Sequence, residues 1–178
     1  MTNEEMTKIF SVMLLAWPNS ATFKGGIKSL MPTIKLWTLC LADIDFLTAQ
    51  MAVIRMCQTC KFPPTIADFR EAAEDVQLEI NREIDQEYLY MRSEVNYGDG
   101  NLQRAYERMP PKTRLAIDMM GGTDHILIPL SGGEDTEKRF NAEGFEEAYR
   151  QVLIGGMEET VKVMEETVKL LGSGKAMS

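Results

Sequence analysis

The residues of this chain with the most chemistry in them are a Cys-x-x-Cys pair, Cys57 and Cys60, one histidine, His125, and a Gly-Ser-Gly-Lys run ending at Lys175. A structural zinc needs four ligands, drawn mostly from Cys and His. The sequence offers Cys40, Cys57, Cys60 and His125, the last in a segment of a different kind. A redox Cys-x-x-Cys opens a helix within a βαβ pattern, whereas this pair closes the helical run "DFLTAQMAVIRMCQTC" with no strand before it. Cysteine there reads as a small apolar helix residue, with Cys57 facing inward.

The remaining candidates fare no better. A phosphate-binding loop needs an earlier glycine, a Ser or Thr after the lysine, a strand before and a helix after; here Ala176 follows Lys175. Asp124 beside His125 does not complete a catalytic constellation, and there is no second histidine. The acid pairs Glu158-Glu159 and Glu165-Glu166 read as a solvated helix face. The expectation is a non-enzymatic protein with no catalytic residues, no cofactor and no metal.

Charge narrows the partners. The net charge is −8, with a balance of +2 over residues 1–64, −6 over 65–109 and −4 over 110–178. Proteins that grip a phosphate backbone draw most of their affinity from clustered Lys and Arg. No such cluster stands out, so strong direct nucleic-acid binding is not expected. No apolar run approaches the roughly 20 residues of a membrane span, and acidic residues precede the apolar start where a secretory signal carries basic ones. The protein is expected in the cytoplasm.

Helical periodicity dominates the elements that would position any site. Residues 3–17 repeat apolar side chains at Met6, Ile9, Phe10, Met13, Leu14 and Trp17, with Asn3 as the cap and Pro18 as the stop. "NSATFKGG" reads as loop. Pro32 suits the first turn of a second helix, through Ile34, Trp37 and Leu41 to about Ala42. Asp43 or Asp45 caps a third helix, Phe46 to Cys60, with Leu47, Met51, Ile54 and Cys57 as its buried stripe. "KFPP" ends it, and Thr65-x-x-Asp68 resembles a capping box. A long acidic helix follows, from Ile66 to about Val95, with Ile66, Phe69, Ala73, Val76, Ile80, Ile84 and Leu89 along its apolar edge. "NYGDGN" at 96–101 marks the boundary between an N-terminal domain, 1–95, and a C-terminal region, 96–178.

Beyond the break come a short helix, "LQRAYERM", and another between Pro110-Pro111 and Gly121-Gly122. "HILIPL" is strand-like but broken by Pro129, so no sheet is expected. "FNAEGFEEAYRQVL" reads as a helix presenting Phe140, Phe145, Tyr149, Val152 and Leu153. The repeat "MEETVKV", "MEETVKL" then steps through Met157, Val161, Met164, Val168 and Leu171 at intervals of 4, 3, 4 and 3 residues, a coiled-coil seam. Two heptads are marginal alone. Either this helix docks on its own domain or it folds into a partner's groove.

The stretches "IFSVMLLAWPN" (Ile9–Asn19), Trp37 with "LAD" at 41–43, and "KFPPTIADFREAA" (Lys61–Ala73) resemble the phage replicative-helicase loader and inhibitor family. The resemblance covers about residues 6–76, with Trp17, Pro18, Trp37, Phe62, Pro63, Pro64, Ile66, Ala67 and Asp68 as its signature. Trp17 departs mildly from the Tyr or Phe of the family pattern. "MGG…FEEAYRQVL" (Met120–Leu153) is loosely similar to a pattern in other phage replication proteins. The chain as a whole reads as all-α: a small N-terminal helical bundle, a long acidic connecting helix, and a C-terminal helical partner-binding segment. The resemblance implies that the chain binds a hexameric replicative DNA helicase, inhibits it, and loads it at an origin marked by an initiator protein. Phe145, Tyr149, Met157, Val161, Met164, Val168 and Leu171 are the expected partner contacts. Readings from other classes are a DNA-binding module that reads an origin directly, a host-takeover inhibitor or phage assembly chaperone, and a Cys-based metalloprotein.

Overall fold

The protein is described by a computed structural model covering residues 1–97, 101–129 and 138–173; beyond 157 the side chains, Lys162 excepted, lie outside the description. The fold is predominantly α-helical. It divides into two compact units, one built on Met1–Glu79 and the other on Ile80–Glu158.

The first unit begins with α1 (Asn3–Ala16). Its cap is Thr2 rather than Asn3: the Thr2 hydroxyl accepts from the Glu5 N–H, and the Glu5 carboxylate accepts from the Thr2 N–H at 2.7 Å. Both Thr and Asn cap well, and the glutamate three residues on selects Thr2. Leu15 and Ala16 face solvent while Met6, Ile9, Phe10 and Met13 are buried. The stretch read as loop contains a 3₁₀ turn (Ala21–Phe23) and a short helix, α2 (Gly26–Ser29). Gly25 permits this with φ +93°, a left-handed conformation open to glycine. Next come α3 (Met31–Cys40), with Pro32 in its first turn, and α4 (Phe46–Thr59), capped by Asp45 through the Thr48 N–H.

The buried face of α4 is Leu47, Ala49, Gln50, Ala52, Val53 and Met56, not the expected Leu47, Met51, Ile54 and Cys57, which beyond Leu47 are half-buried. The helix is apolar on most sides, so spacing alone does not fix its phase. Helix α1 packs on both α3 and α4. Rings from four segments meet edge to face: Phe23 on Phe10 (6.4 Å), Phe10 on Trp37 (5.1 Å), and Trp37 on Phe69 (5.6 Å).

Phe69 belongs to α5 (Ile66–Tyr97), a helix of 32 residues. Its buried positions are Phe69, Ala73, Val76, Ile80, Ile84 and Met91. Leu89, expected on this edge, is exposed, because Met91 lies two turns beyond Ile84 on the same face and Leu89 does not. The division between compact units falls inside this helix, between Glu79 and Ile80, whereas the expected partition at 96–101 lies at its end.

The second unit adds α6 (Leu102–Arg108) and α7 (Pro111–Met119). Gly121 and Gly122, at φ +105° and +99°, close α7, with the Gly122 N–H donating to Ile117 O. Contrary to the expectation of no sheet, a two-stranded one is present. Strands β1 (Leu127–Pro129) and β2 (Lys138–Phe140) pair antiparallel, Leu127 opposite Phe140. Pro129 sits at the strand end, where a two-stranded edge tolerates its missing N–H. Phe140 is thus a strand residue, and the Arg92 guanidinium covers its ring at 5.1 Å. Asn141 precedes α8 (Ala142–Ser173) and accepts the Gly144 N–H on its side chain. Helix α8 continues through Gly155 and Gly156 into the repeat.

Candidate partner-binding surfaces

By burial the signature residues fall into three groups. Trp17 and Trp37 are buried members of the first unit's core, and Trp17 closes α1, its N–H donating to Met13 O. Pro63, Pro64 and Ile66 are half-buried, and Pro18, Ala67 and Asp68 are exposed. Asp68 completes the capping box: its carboxylate accepts from the Thr65 N–H and hydroxyl, both at 2.8 Å, while its own N–H donates to the Thr65 hydroxyl. Those donors, the Thr65 N–H first, hold its carboxyl below the usual range. Phe62 is 78% exposed and seven residues later Phe69 is fully buried. "KFPP" therefore ends one helix and positions the ring that anchors the next.

Arg70 ties this start of α5 to the end of α3. Its guanidinium donates to both oxygens of Asp43, at 2.7 and 3.0 Å, and to the Cys40 carbonyl. The Arg70 hydrogen bond pulls the Asp43 carboxyl down to about 2. Deeper in the unit, Thr48 donates to Asp45 (2.6 Å) and lies 2.9 Å from Gln77 Oε1.

The cysteines are free thiols. Cys57 is half-buried, and burial pushes its thiol up, away from the reactive thiolate. Cys60 borders an open groove with Asp68, Glu71 and Asp75. Among the described residues no group of three or more His, Cys, Asp or Glu is placed to hold a metal ion. His125 is exposed, its ring against Gly121.

The expected partner contacts separate. Phe145 and Tyr149 are 0% and 1% exposed, so they are core residues of the second unit and present no surface to a partner. Phe145 lies 5.8 Å from the Tyr88 ring and 5.6 Å from Tyr149. The Tyr149 hydroxyl donates to Glu83 (3.1 Å), which also accepts from Lys112 (2.7 Å). The aromatic pattern signalled burial as readily as recognition, and the acid at 83 that decides between them lies 66 residues away. Met157 is half-buried in α8. Val161, Met164, Val168 and Leu171 share that helix in backbone, and their side chains lie outside the described residues.

One surface went unnoticed in the sequence. Leu36 and Leu39 on α3 are 53% and 78% exposed, although Ile34 and Trp37 of the same helix are buried. Their signal was available: the inward face of α3 needs only Ile34, Trp37 and Leu41, leaving two leucines of the same helix without a core to enter.

No helix among the described residues is long and apolar enough to cross a membrane. Neither the curated proteins nor the solved structures include a match to the chain. A family model does match: residues 1–70 fit the N-terminal domain of gp39P, a phage helicase loader and inhibitor. That segment holds α1 to α4, Trp17, Trp37, the "KFPP" junction and Phe69. Over its first 70 residues the chain is thus similar to the N-terminal domain of a phage protein that loads and inhibits a helicase.

Proposed function

We propose that this chain is a non-enzymatic phage replication accessory protein that binds a hexameric replicative helicase, holds it inactive and delivers it to an initiator-marked origin. The observation that carries the reading is the family match over the first unit, whose signature residues form its aromatic core and helix junctions. Two features are compatible with it: the overall acidity, which favours protein over nucleic-acid contacts, and the apolar seam at the end of α8. On this reading the seam, Met157 to Leu171, engages the helicase as an amphipathic helix, and the protein shifts the ring toward the state it prefers.

The test is co-elution with light scattering, using the cognate replicative helicase with and without a non-hydrolysable ATP analogue. A nucleotide-dependent complex of defined stoichiometry is the expected result. Failure to form a complex in either state would leave the first unit with a shared fold and a different partner. Met164→Asp with Val168→Asp is expected to abolish the complex with the far-UV spectrum preserved; unchanged binding would remove the seam from the contact.

A further inference from the structure

We infer that the outer face of α2 and α3 is a second docking surface, and that its occupant is an acidic amphipathic helix of a partner protein. Leu30, between the two helices, keeps a right-handed helical conformation at φ −89°, ψ −3°. The Leu30 N–H closes α2 on the Ile27 carbonyl, and the Leu30 carbonyl accepts the Ile34 N–H in the first turn of α3. Within α3, Pro32, Lys35, Leu36 and Leu39 fall at i, i+3, i+4 and i+7 along one side, and Lys28 stands in α2 just before them. Lys28, Pro32, Lys35, Leu36 and Leu39 are all exposed, with Lys35 at the edge of the stripe. The opposite side, Ile34 and Trp37, is buried in the core. A helix ten residues long with apolar side chains on both faces has one face more than its own core uses. An exposed apolar stripe edged by polar groups marks an interaction surface.

Charge identifies the occupant. No Asp or Glu lies between Glu5 and Asp43, although the chain as a whole carries −8, and that interval contains Lys8, Lys24, Lys28 and Lys35. Lys24, Lys28 and Lys35 make no ion pair among the described residues. The first acid beyond the stripe, Asp43, is occupied by Arg70. A partner that buries Leu36 and Leu39 and meets Lys28 and Lys35 needs an apolar stripe flanked by carboxylates. A nucleic acid would satisfy the lysines and leave both leucines in water, and the acidic remainder of the chain would repel it. The surface lies within the first unit and does not depend on the seam of α8.

The experiment uses the full-length ¹⁵N-labelled chain and a helical peptide of about 15 residues, long enough to hold helix when Ala-rich. Leucines lie on one face of this peptide, with glutamates flanking them. A twin carries lysines in place of the glutamates. Saturable amide shifts confined to residues 28–40 are expected with the acidic peptide, weakening with added salt. Leu36→Ser with Leu39→Ser is expected to weaken binding by about tenfold or more, the scale set by burying one or two leucines. Lys28→Glu with Lys35→Glu should reverse the preference between the peptides. Neither pair belongs to the buried core, and unchanged thermal melts would show that the fold is kept. The inference is overturned if the acidic peptide does not bind, if the serine variant binds equally, or if the lysine twin binds as well. It is also overturned if a single-stranded oligonucleotide shifts the same amides at lower concentration.

Discussion

Replacing Phe69 by alanine should unfold the first unit far more readily than replacing Phe62 by alanine, although the two residues lie within one short signature. Phe69 is fully buried with its ring edge-on to Trp37 at 5.6 Å, while Phe62 is 78% exposed. An aromatic ring buries about 150–250 Å², and at about 25 cal/mol per Å² this amounts to about 4–6 kcal/mol as an upper bound. Measured Phe-to-Ala losses in cores centre on about 3–5 kcal/mol. The same change at Phe62 should stay within about 0.5 kcal/mol. Both tryptophans, Trp17 and Trp37, lie in the first unit, so urea unfolding followed by tryptophan fluorescence reports on that unit selectively. With a denaturant dependence of about 1.5 kcal/mol per molar urea, a loss of about 4 kcal/mol moves the midpoint down by about 2.7 M. Equal shifts for the two variants, or a Phe69→Ala shift below about 0.7 M, would refute the assignment of Phe69 as the core anchor.

Three other outcomes follow from side chains described above. Asp43 titrates at about 2 because Arg70 holds it, so its contribution is complete above its usual value of 3.8 and is lost as pH falls through about 2; Arg70→Gln should return the Asp43 carboxyl toward 3.8 in a ¹³C NMR titration, and an unmoved value would exonerate Arg70. Burial, with Glu83 nearby, raises the Tyr149 phenol above its usual 10, so its contribution is complete below about pH 10 and is lost as pH rises further. Tyr149→Phe should therefore cost about 0.5–1.5 kcal/mol at neutral pH and flatten the alkaline loss of stability; an unchanged alkaline limb in pH-dependent melts would count against it. A Cβ at Gly155 or Gly156 meets no atom within 4 Å, and glycine inside a helix costs about 1 kcal/mol relative to alanine, so Gly155→Ala with Gly156→Ala should raise the far-UV helical signal and its melting temperature.

Helix positions were legible in the sequence because prolines and capping side chains bracket them. Pro32, Asp45, Thr65 with Asp68, and Gly121-Gly122 each stand where the backbone turns. What escaped was information held by distant residues. The phase of α4 was hidden because the helix is apolar on nearly every side, and its neighbours select Val53 and Met56 over Ile54 and Cys57. Strand β1 depends on β2, whose "KRF" has no strand signal of its own. Phe145 and Tyr149 looked like contacts because an aromatic stripe reads the same whether it meets a partner or the chain's own Tyr88 and Glu83. The leucines on α3 err in the opposite direction: periodicity picks out the inward face of a bundle helix and passes over apolar residues on its outer side.

The edge-to-face series of Phe23, Phe10, Trp37 and Phe69 also sets an order in time. Each ring comes from a different segment, and the last to be synthesised is Phe69. A ribosome adding about 5–20 residues per second releases α1 to α4 first, yet the nascent bundle has a gap in its centre until the opening turns of α5 emerge. Until then Trp37 lacks one neighbour and the chain is a set of helices waiting for a closing piece. The similarity to the phage loader's N-terminal domain ends at residue 70, one position beyond the side chain that closes the core.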